Sequence, residues 1–203
     1  TGATRDAYRQ VQEQTGVPEA VTIELRANDK AATQHSTGDD LPTFGGHLYS
    51  DAAGQYPADL NDWETKVVTT ETDRPSFVAW YRNPSRATPN ALRIAYQTDA
   101  GDWSSLQVDF LIVSRRDDGT LAASIVDPHG DHLADAKAKL RALADFAEAH
   151  ATRFIRIVSI SKGSDGGLRV LDLLEAHVRE AVRDFDGAQV SALYDSAAAL
   201  PYL

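Results

Sequence analysis

The sequence contains no cysteine and no methionine among its 203 residues. Without cysteine the chain can form no disulfide, iron–sulfur cluster, thiolate zinc site or cysteine nucleophile. Because natural chains begin with methionine, we expect these residues to be a segment cut from a longer protein. The sequence also lacks an apolar run near the roughly 20 residues of a membrane helix, and no signal segment opens it. We therefore expect a soluble, cytoplasmic protein without a membrane partner.

Basic residues are scarce. Acidic residues outnumber them by 30 to 20, which gives a formal net charge of -10 at pH 7. This balance argues against a domain that holds nucleic acid by charge alone, since phosphate binding depends on lysine and arginine. It does not exclude an enzyme that approaches DNA through metal ions held by clustered carboxylates, while another domain supplies affinity.

The patterning divides the chain near residue 47. Residues 3–15 have the composition of a polar helix, residues 21–25 alternate like a short strand, and residues 27–46 are rich in polar residues, glycine and proline. Such a stretch is typical of a linker or a mobile loop. We predict that residues 1–46 are the tail of a preceding domain plus a linker, and that residues 47–203 form one compact domain.

Helical and strand patterns follow one another in the second part. Helices are predicted over 57–70, 133–150 and 174–184, and strands over 76–81, 92–96, 106–113, 121–126, 154–160 and 168–173. Asp59 and Asn61 are candidate N-caps of the first helix, and residues 115–120 carry a hairpin turn signal. This order predicts an α/β fold with a mixed central sheet flanked by helices.

Two aspartates in neighbouring strands give the strongest functional signal. Asp109 lies in the apolar run 106–113 and Asp127 ends the next strand, so the hairpin brings them together. Paired carboxylates repel, and a divalent cation relieves that repulsion. His129 projects to the same side and can ligate metal or move a proton, and Glu64 on the first helix can add a third carboxylate. Hard oxygen ligands with one histidine suit Mg²⁺ or Mn²⁺.

This order of acids resembles the PD-(D/E)xK restriction-endonuclease-like fold, in which a helical Glu is followed by Asp in one strand and acid-x-Lys in the next. Several short motifs resemble, more closely, the C-terminal domain of type III restriction-type DEAD/DEAH helicases: Trp63-Glu64, Val78 to Asn83, Leu92 to Tyr96, Val108 to Phe110 and Ile125 to Asp135. The resemblance covers residues 47–182. It implies a restriction-endonuclease-like fold, Mg²⁺ or Mn²⁺ as cofactor, DNA as substrate, and ATP-dependent helicase domains in the same longer chain.

The resemblance also implies roles for individual residues. Glu64, Asp109 and Asp127 would be the metal ligands, and His129 would stand at the position of the lysine. A histidine supplies no permanent ammonium group, so the activity is altered or lost unless another group compensates. Lys137 and Lys139, on the helix that follows, are candidates for that group. Val108 replaces the usual proline, which takes no part in the chemistry.

Three arginines and one asparagine form the basic concentration near this site. They are Arg82, Asn83, Arg86 and Arg93, and they can contact the DNA backbone. A solvated loop is the alternative interpretation of the same residues.

The sequence therefore predicts a metal-dependent DNA endonuclease domain of a helicase of restriction, phage-defence-like type. In the alternative, the domain keeps the fold without the chemistry and serves as a DNA-docking or assembly module of the helicase. A further reading takes the run from Asp127 to His132 as the HxHxDH zinc motif of metallo-β-lactamase-like hydrolases, with Asp in place of the first His.

Each site residue also has a structural interpretation. Asp109 can pair with Arg93, and Glu64 can pair with Lys66 or Arg82, in either case without any metal. Asp131 can cap the helix predicted from residue 133, and the three tryptophans have the character of core or rim residues.

Overall fold

The computed structural model describes residues 20–21, 34, 37–85, 91–98, 100–130, 135–187 and 189–203. The helix predicted over 3–15 lies outside the described residues, as do Arg86, Asp131 and His132. In chain order the described elements are β1 (Ala20–Val21), β2 (Thr43–Gly45), β3 (Gln55–Pro57), α1 (Asp62–Thr72), β4 (Phe77–Arg82), β5 (Arg93–Gln97), β6 (Trp103–Gln107), β7 (Phe110–Arg115), β8 (Leu121–Pro128), α2 (Ala136–His150), β9 (Phe154–Lys162), β10 (Leu168–Asp172), α3 (Ala176–Asp184), α4 (Ser191–Tyr194) and β11 (Leu200–Pro201).

A mixed six-stranded sheet forms the centre of the fold, in the order β11-β10-β9-β8-β7-β4. Strands β8 and β9 are parallel, and the other neighbours are antiparallel. The parallel pair needs a crossover connection, which α2 supplies. The predicted α/β class with a mixed central sheet flanked by helices is therefore confirmed. Within the described ranges, no helix is long and apolar enough to cross a membrane.

Both faces of the central sheet are buried. Successive side chains of a strand point to opposite faces, so Ile125 packs with α2 and α3 whereas Val126 packs on the side of α1. Trp80 is completely buried in the second cluster, which confirms the structural interpretation for this tryptophan. Trp63 and Trp103 are half-buried.

The predicted strand over 106–113 is wrong, because it consists of two strands in different sheets. β6 pairs with β5 in a three-stranded sheet with β1, whereas β7 pairs with β4 and β8. The chain changes sheets at Val108 and Asp109, where the backbone N–H of Asp109 donates to a side-chain oxygen of Asp127 at 2.9 Å. The apolar character of the run continues across the break, so periodicity gives no sign of it.

The first helix starts later than predicted. Pro57, the first residue of the predicted helix, instead ends β3, and α1 begins after Asn61, one of the two candidate caps. Asn61 Oδ1 accepts from the backbone N–H groups of Trp63 and Glu64 at 2.9 and 3.0 Å, and Glu64 Oε2 accepts from the N–H of Asn61 at 2.9 Å. This reciprocal arrangement is a capping box. It fixes the carboxylate of Glu64 at the start of the helix.

Part of the predicted linker is packed against the domain. Leu41 is buried, and Trp80 Nε1 donates to the carbonyl of Gly45 at 2.7 Å. Gly46 has a φ of +74°, and a Cβ at this position would lie 2.9 Å from the ring of Phe77, so only glycine fits without strain. The packed part of the chain therefore starts before residue 47.

Candidate functional site

An acidic cluster lies where β8 ends and β7 begins. Phe110 and Val126 are opposite each other in the β7–β8 ladder, which places Asp109 beside Asp127. Asp127 is buried, whereas about a quarter of the Asp109 side chain is exposed. The structure thus brings together the two aspartates that the hairpin predicted to meet.

Arg82 joins Glu64 to this pair. Its Nη2 lies 2.6 Å from Glu64 Oε1 and 3.5 Å from Asp109 Oδ1, and its guanidinium group lies 4.8 Å from the ring centroid of Phe110. Of the structural alternatives, Glu64 therefore takes the pairing with Arg82. The cation beside Asp109 is likewise Arg82, where the sequence suggested Arg93.

His129 is bound to Asp127 on the other side of the pair. Its Nδ1 lies 3.2 Å from Asp127 Oδ2 and 3.3 Å from Ser159 Oγ, and Ser159 Oγ lies 2.7 Å from the hydroxyl of Tyr194. His129 Nε2 is buried and has no hydrogen-bond partner among the described residues. A proton on Nδ1 that is donated to Asp127 leaves the lone pair on Nε2 free.

Ser159 and Tyr194 extend the cluster, and the sequence analysis did not find them. Ser159 lies opposite Asp127 in the parallel β8–β9 ladder. Ser159 and Ser161 are polar residues within an apolar strand, and both are fully buried, so buried hydroxyls in β9 were the available signal. Tyr194 belongs to the short helix α4, whose position relative to β9 no local pattern specifies.

Burial and charge set the protonation of the site. Burial, followed by the negative charge of Asp127, raises the pKa of Asp109 to about 7, although Arg82 acts in the opposite direction. Burial also lowers the pKa of His129, but its hydrogen bond to Asp127 and the charge of that carboxylate outweigh burial and raise it. Burial and the neighbouring carboxylate therefore favour the protonated form of Asp109.

A cavity of about 330 Å³ opens beside the cluster. Its polar wall includes Asp109, Asp127 and His129, and its apolar wall comes from β6 and α2. Lys139 also lines this cavity, and its Nζ lies 2.9 Å from Asp135 Oδ2. Lys137 instead lies 5.7 Å from the ring of Phe185. Of the two candidate lysines, it is Lys139 that borders the cavity.

Three of the four residues predicted to contact DNA lie in the described part of the chain, and these three do not form a free basic surface. Asn83 is only 1% exposed, and its amide nitrogen donates to the carbonyls of Leu92 and Val108 at 2.9 and 2.7 Å. The prediction of a DNA contact for Asn83 is wrong, because the side chain is an internal clamp. Arg93 is buried at 8% exposure, and Arg82 is bound to carboxylates, so neither presents a free guanidinium group to a DNA backbone in this arrangement.

Replacement of Asn83 by alanine is expected to lower the free energy of unfolding by about 2–4 kcal/mol, because three buried hydrogen bonds are lost. The third is donated by the N–H of Leu92 to Asn83 Oδ1 at 2.7 Å. Urea denaturation measures the effect. Gln97→Ala is the control, since its amide makes one exposed hydrogen bond of 3.3 Å. A similar loss of unfolding free energy in both variants would contradict the stabilising role of the Asn83 hydrogen bonds.

The donor chemistry fits a hard divalent cation only in part. Within the described residues, no group of three or more histidine or acidic side chains is placed to hold a metal ion. Asp109 and Asp127 suit Mg²⁺, which is commonly bound by one or two carboxylates and keeps several waters. Glu64 does not fit as a third ligand while Arg82 is bound to it, so the predicted set of three ligands needs correction at this position.

The fold and this cluster define an α/β protein with a mixed central sheet and an acidic cluster at the point where β7 and β8 meet. The model of the YagJ family matches residues 45–203, and the chain therefore belongs to the YagJ family. Protein YagJ of Escherichia coli (strain K12) is 41% identical over an alignment of 188 residues, which covers 91% of this chain and 76% of that protein. No solved structure matches the chain. The link to type III restriction-type helicases stays a prediction.

Proposed function

We propose that this protein is a metal-dependent nuclease that hydrolyses phosphodiester bonds of DNA at Asp109, Asp127 and His129. The observation that carries the proposal is that two neighbouring aspartates line one cavity. The backbone N–H of Asp109 donates to the carboxylate of Asp127, and a histidine is bound to that same carboxylate. The order of Glu64 on α1, Asp109 before β7 and Asp127 in β8 is the order that a restriction-endonuclease-like fold implies. That fold is part of the proposal.

Asp109 and Asp127 would hold Mg²⁺ or Mn²⁺. When bound, such an ion lowers the pKa of a water molecule and neutralises charge on the phosphate. Two neighbouring carboxylates that are largely removed from water repel each other. A bound cation would relieve this repulsion. The backbone N–H of Asp109 holds Asp127 Oδ1 in place, so one carboxylate is oriented before any cation arrives.

His129 would accept the proton of the attacking water. Asp127 accepts from Nδ1, which leaves Nε2 as the basic nitrogen, and the residue lines the cavity. A lysine ammonium at this position stays charged at neutral pH, whereas an imidazole can take up and release a proton there. The replacement of lysine by histidine is therefore compatible with a nuclease in which this residue moves a proton.

A specific observation favours the second candidate function, an inactive module for DNA docking or assembly. Arg82 binds Glu64 and lies near Asp109, so two of the three predicted ligands share a protein cation. In this alternative Arg82 permanently replaces the metal. In both candidates, the helicase domains predicted in a longer chain would deliver the DNA, consistent with the net charge of -10.

Nicking of supercoiled plasmid DNA in Mg²⁺ or Mn²⁺ tests the proposal. We expect the wild-type protein to nick only when the ion is present, and Asp109→Asn to lower the rate at least a hundredfold, because a ligand of the cation is lost. Asp145→Asn is the matched control, since Asp145 pairs with Arg183 on the surface, 2.9 Å away. It should nick like the wild type.

Two results would contradict a nuclease. One is the absence of nicking by the wild-type protein with either ion, and the other is equal nicking by wild type and Asp109→Asn. DNA binding without nicking, in an electrophoretic mobility assay, would instead support the docking module.

A further inference from the structure

Arg82 occupies the space between two carboxylates of the proposed cation site. One nitrogen atom, Nη2, approaches both Glu64 and Asp109. We propose that Arg82 is an internal counter-ion, which competes with the divalent cation for the acidic cluster and thereby sets the affinity of the site. This inference rests on the proposed function, because it concerns the regulation of that same site.

The surroundings of Arg82 hold it in this place. It is the last residue of β4 and lies opposite Phe110 in the ladder with β7, and its guanidinium group packs over the ring of Phe110. Glu64 cannot turn away, because Asn61 holds its other carboxylate oxygen in the capping box at 2.9 Å. The carboxylate that Arg82 binds is therefore fixed by the start of α1.

Arg82 and a divalent cation would use the same negative charge. A guanidinium group is charged at every relevant pH, so the competition is not relieved by deprotonation of Arg82. Two cations held a few ångströms apart repel each other strongly in a partly buried site. Entry of the divalent cation near Asp109 should therefore push Arg82 away from this carboxylate.

The guanidinium group is not bound on all sides. Its Nη1 is buried without a hydrogen-bond partner among the described residues, and a quarter of the side chain is exposed. Leaving Asp109 therefore breaks one long contact of 3.5 Å, and the side chain has access to solvent. A displaced Arg82 is available for the phosphate contact that the sequence predicted for it.

Mn²⁺ titration by calorimetry, in the absence of DNA, measures this competition. We expect Arg82→Gln to bind Mn²⁺ at least tenfold more tightly than the wild type. Arg82→Lys should show a smaller gain, because its shorter side chain keeps one charge near Glu64 but cannot reach both carboxylates. Arg183→Gln is the control for net charge, since Arg183 pairs with Asp145 and Glu148 on the surface. Its affinity should equal that of the wild type.

The outcomes separate this inference from the proposed function. Equal Mn²⁺ affinity of wild type, Arg82→Gln and Arg82→Lys would overturn the role of Arg82, while the cation site would stand. No binding by any variant would overturn the cation site itself, and with it the nuclease. Equal gains in Arg82→Gln and Arg183→Gln would show an effect of net charge only, which also overturns the inference. If Arg82→Gln fails to fold, the Mn²⁺ affinity of Arg82→Lys tests the inference instead. A higher affinity than that of the wild type supports the competition, and an equal affinity overturns it.

Discussion

Replacement of Glu71 by alanine is expected to lower the free energy of unfolding by about 3–5 kcal/mol, since it removes a buried carboxylate that binds two guanidinium groups and a hydroxyl group. Glu71 lies on α1 and is completely buried. Its carboxylate is bound by Arg156, by Arg74 Nε at 3.1 Å and by the hydroxyl of Tyr202 at 2.7 Å. Without the carboxylate, the hydroxyl and both guanidinium groups lose this partner.

The carboxylate of Glu71 connects segments that lie far apart in the sequence. Arg156 belongs to β9, Tyr202 follows β11, and Arg74 also donates to the carbonyl of Leu203 at 3.0 Å. Loss of Glu71 should therefore loosen the C-terminal residues before the rest of the sheet. We expect proteolysis near the C-terminus of Glu71→Ala under conditions in which the wild-type chain stays intact.

Urea denaturation of two further variants provides the controls for Glu71. Glu148→Ala removes a glutamate that pairs with Arg183 at 2.5 Å on the surface, and exposed pairs contribute little. We expect no measurable change for this variant. Glu71→Gln should fall between Glu71→Ala and the wild type, because its amide can still accept from Tyr202. A loss in Glu148→Ala as large as that in Glu71→Ala would contradict the special role of burial.

Local pattern predicts much of the scaffold. The 3.6-residue period predicts α2, and the turn signal over 115–120 predicts the β7–β8 hairpin, because both depend on neighbours in the sequence. The break between β6 and β7 at Asp109 is not predicted, because it depends on a contact that is not local. The backbone N–H of Asp109 donates to the side chain of Asp127, eighteen positions away, instead of to a backbone carbonyl. The sequence does not predict the short strands β2, β3 and β11 either. β2 and β3 pair with each other over three residues each, which is too short for a recognisable alternation, and β11 pairs with the more distant β10.

In the candidate site, too, the sequence predicts the local contacts and not those between distant segments. The meeting of Asp109 and Asp127 follows from a hairpin whose register is fixed by its turn, so the sequence predicts it. The position of Arg82 between Glu64 and Asp109 depends on how α1 packs against β4, which no local spacing specifies. The contacts of Glu71 with Arg156 and Tyr202 span 85 and 131 positions. Pairings over such distances follow from the packed fold alone.

Replacement of Asp109 by asparagine is expected to stabilise the fold at pH 8 by roughly 2–4 kcal/mol, although it removes the nicking activity. The pKa of Asp109 is raised from 3.8 to about 7 in the folded protein. Between these two values the folded chain binds a proton that the unfolded chain has released. Stability contributed by the protonated carboxyl is therefore present at low pH and is lost as the pH rises through 7.

Urea denaturation in EDTA at pH 4 and pH 8 measures this difference. Wild type should lose stability between the two pH values relative to Asp109→Asn, and the variants should agree at pH 4, where the carboxyl is protonated. Asp145→Asn changes a residue that pairs with Arg183 on the surface, and its stability should equal that of the wild type at both pH values. If Asp109→Asn is less stable at pH 8, then the carboxylate is a structural partner of Arg82. Higher stability with lost nicking indicates instead that the fold retains an unfavourable charge at this position, which is the property expected of a cation ligand rather than of a structural ion pair.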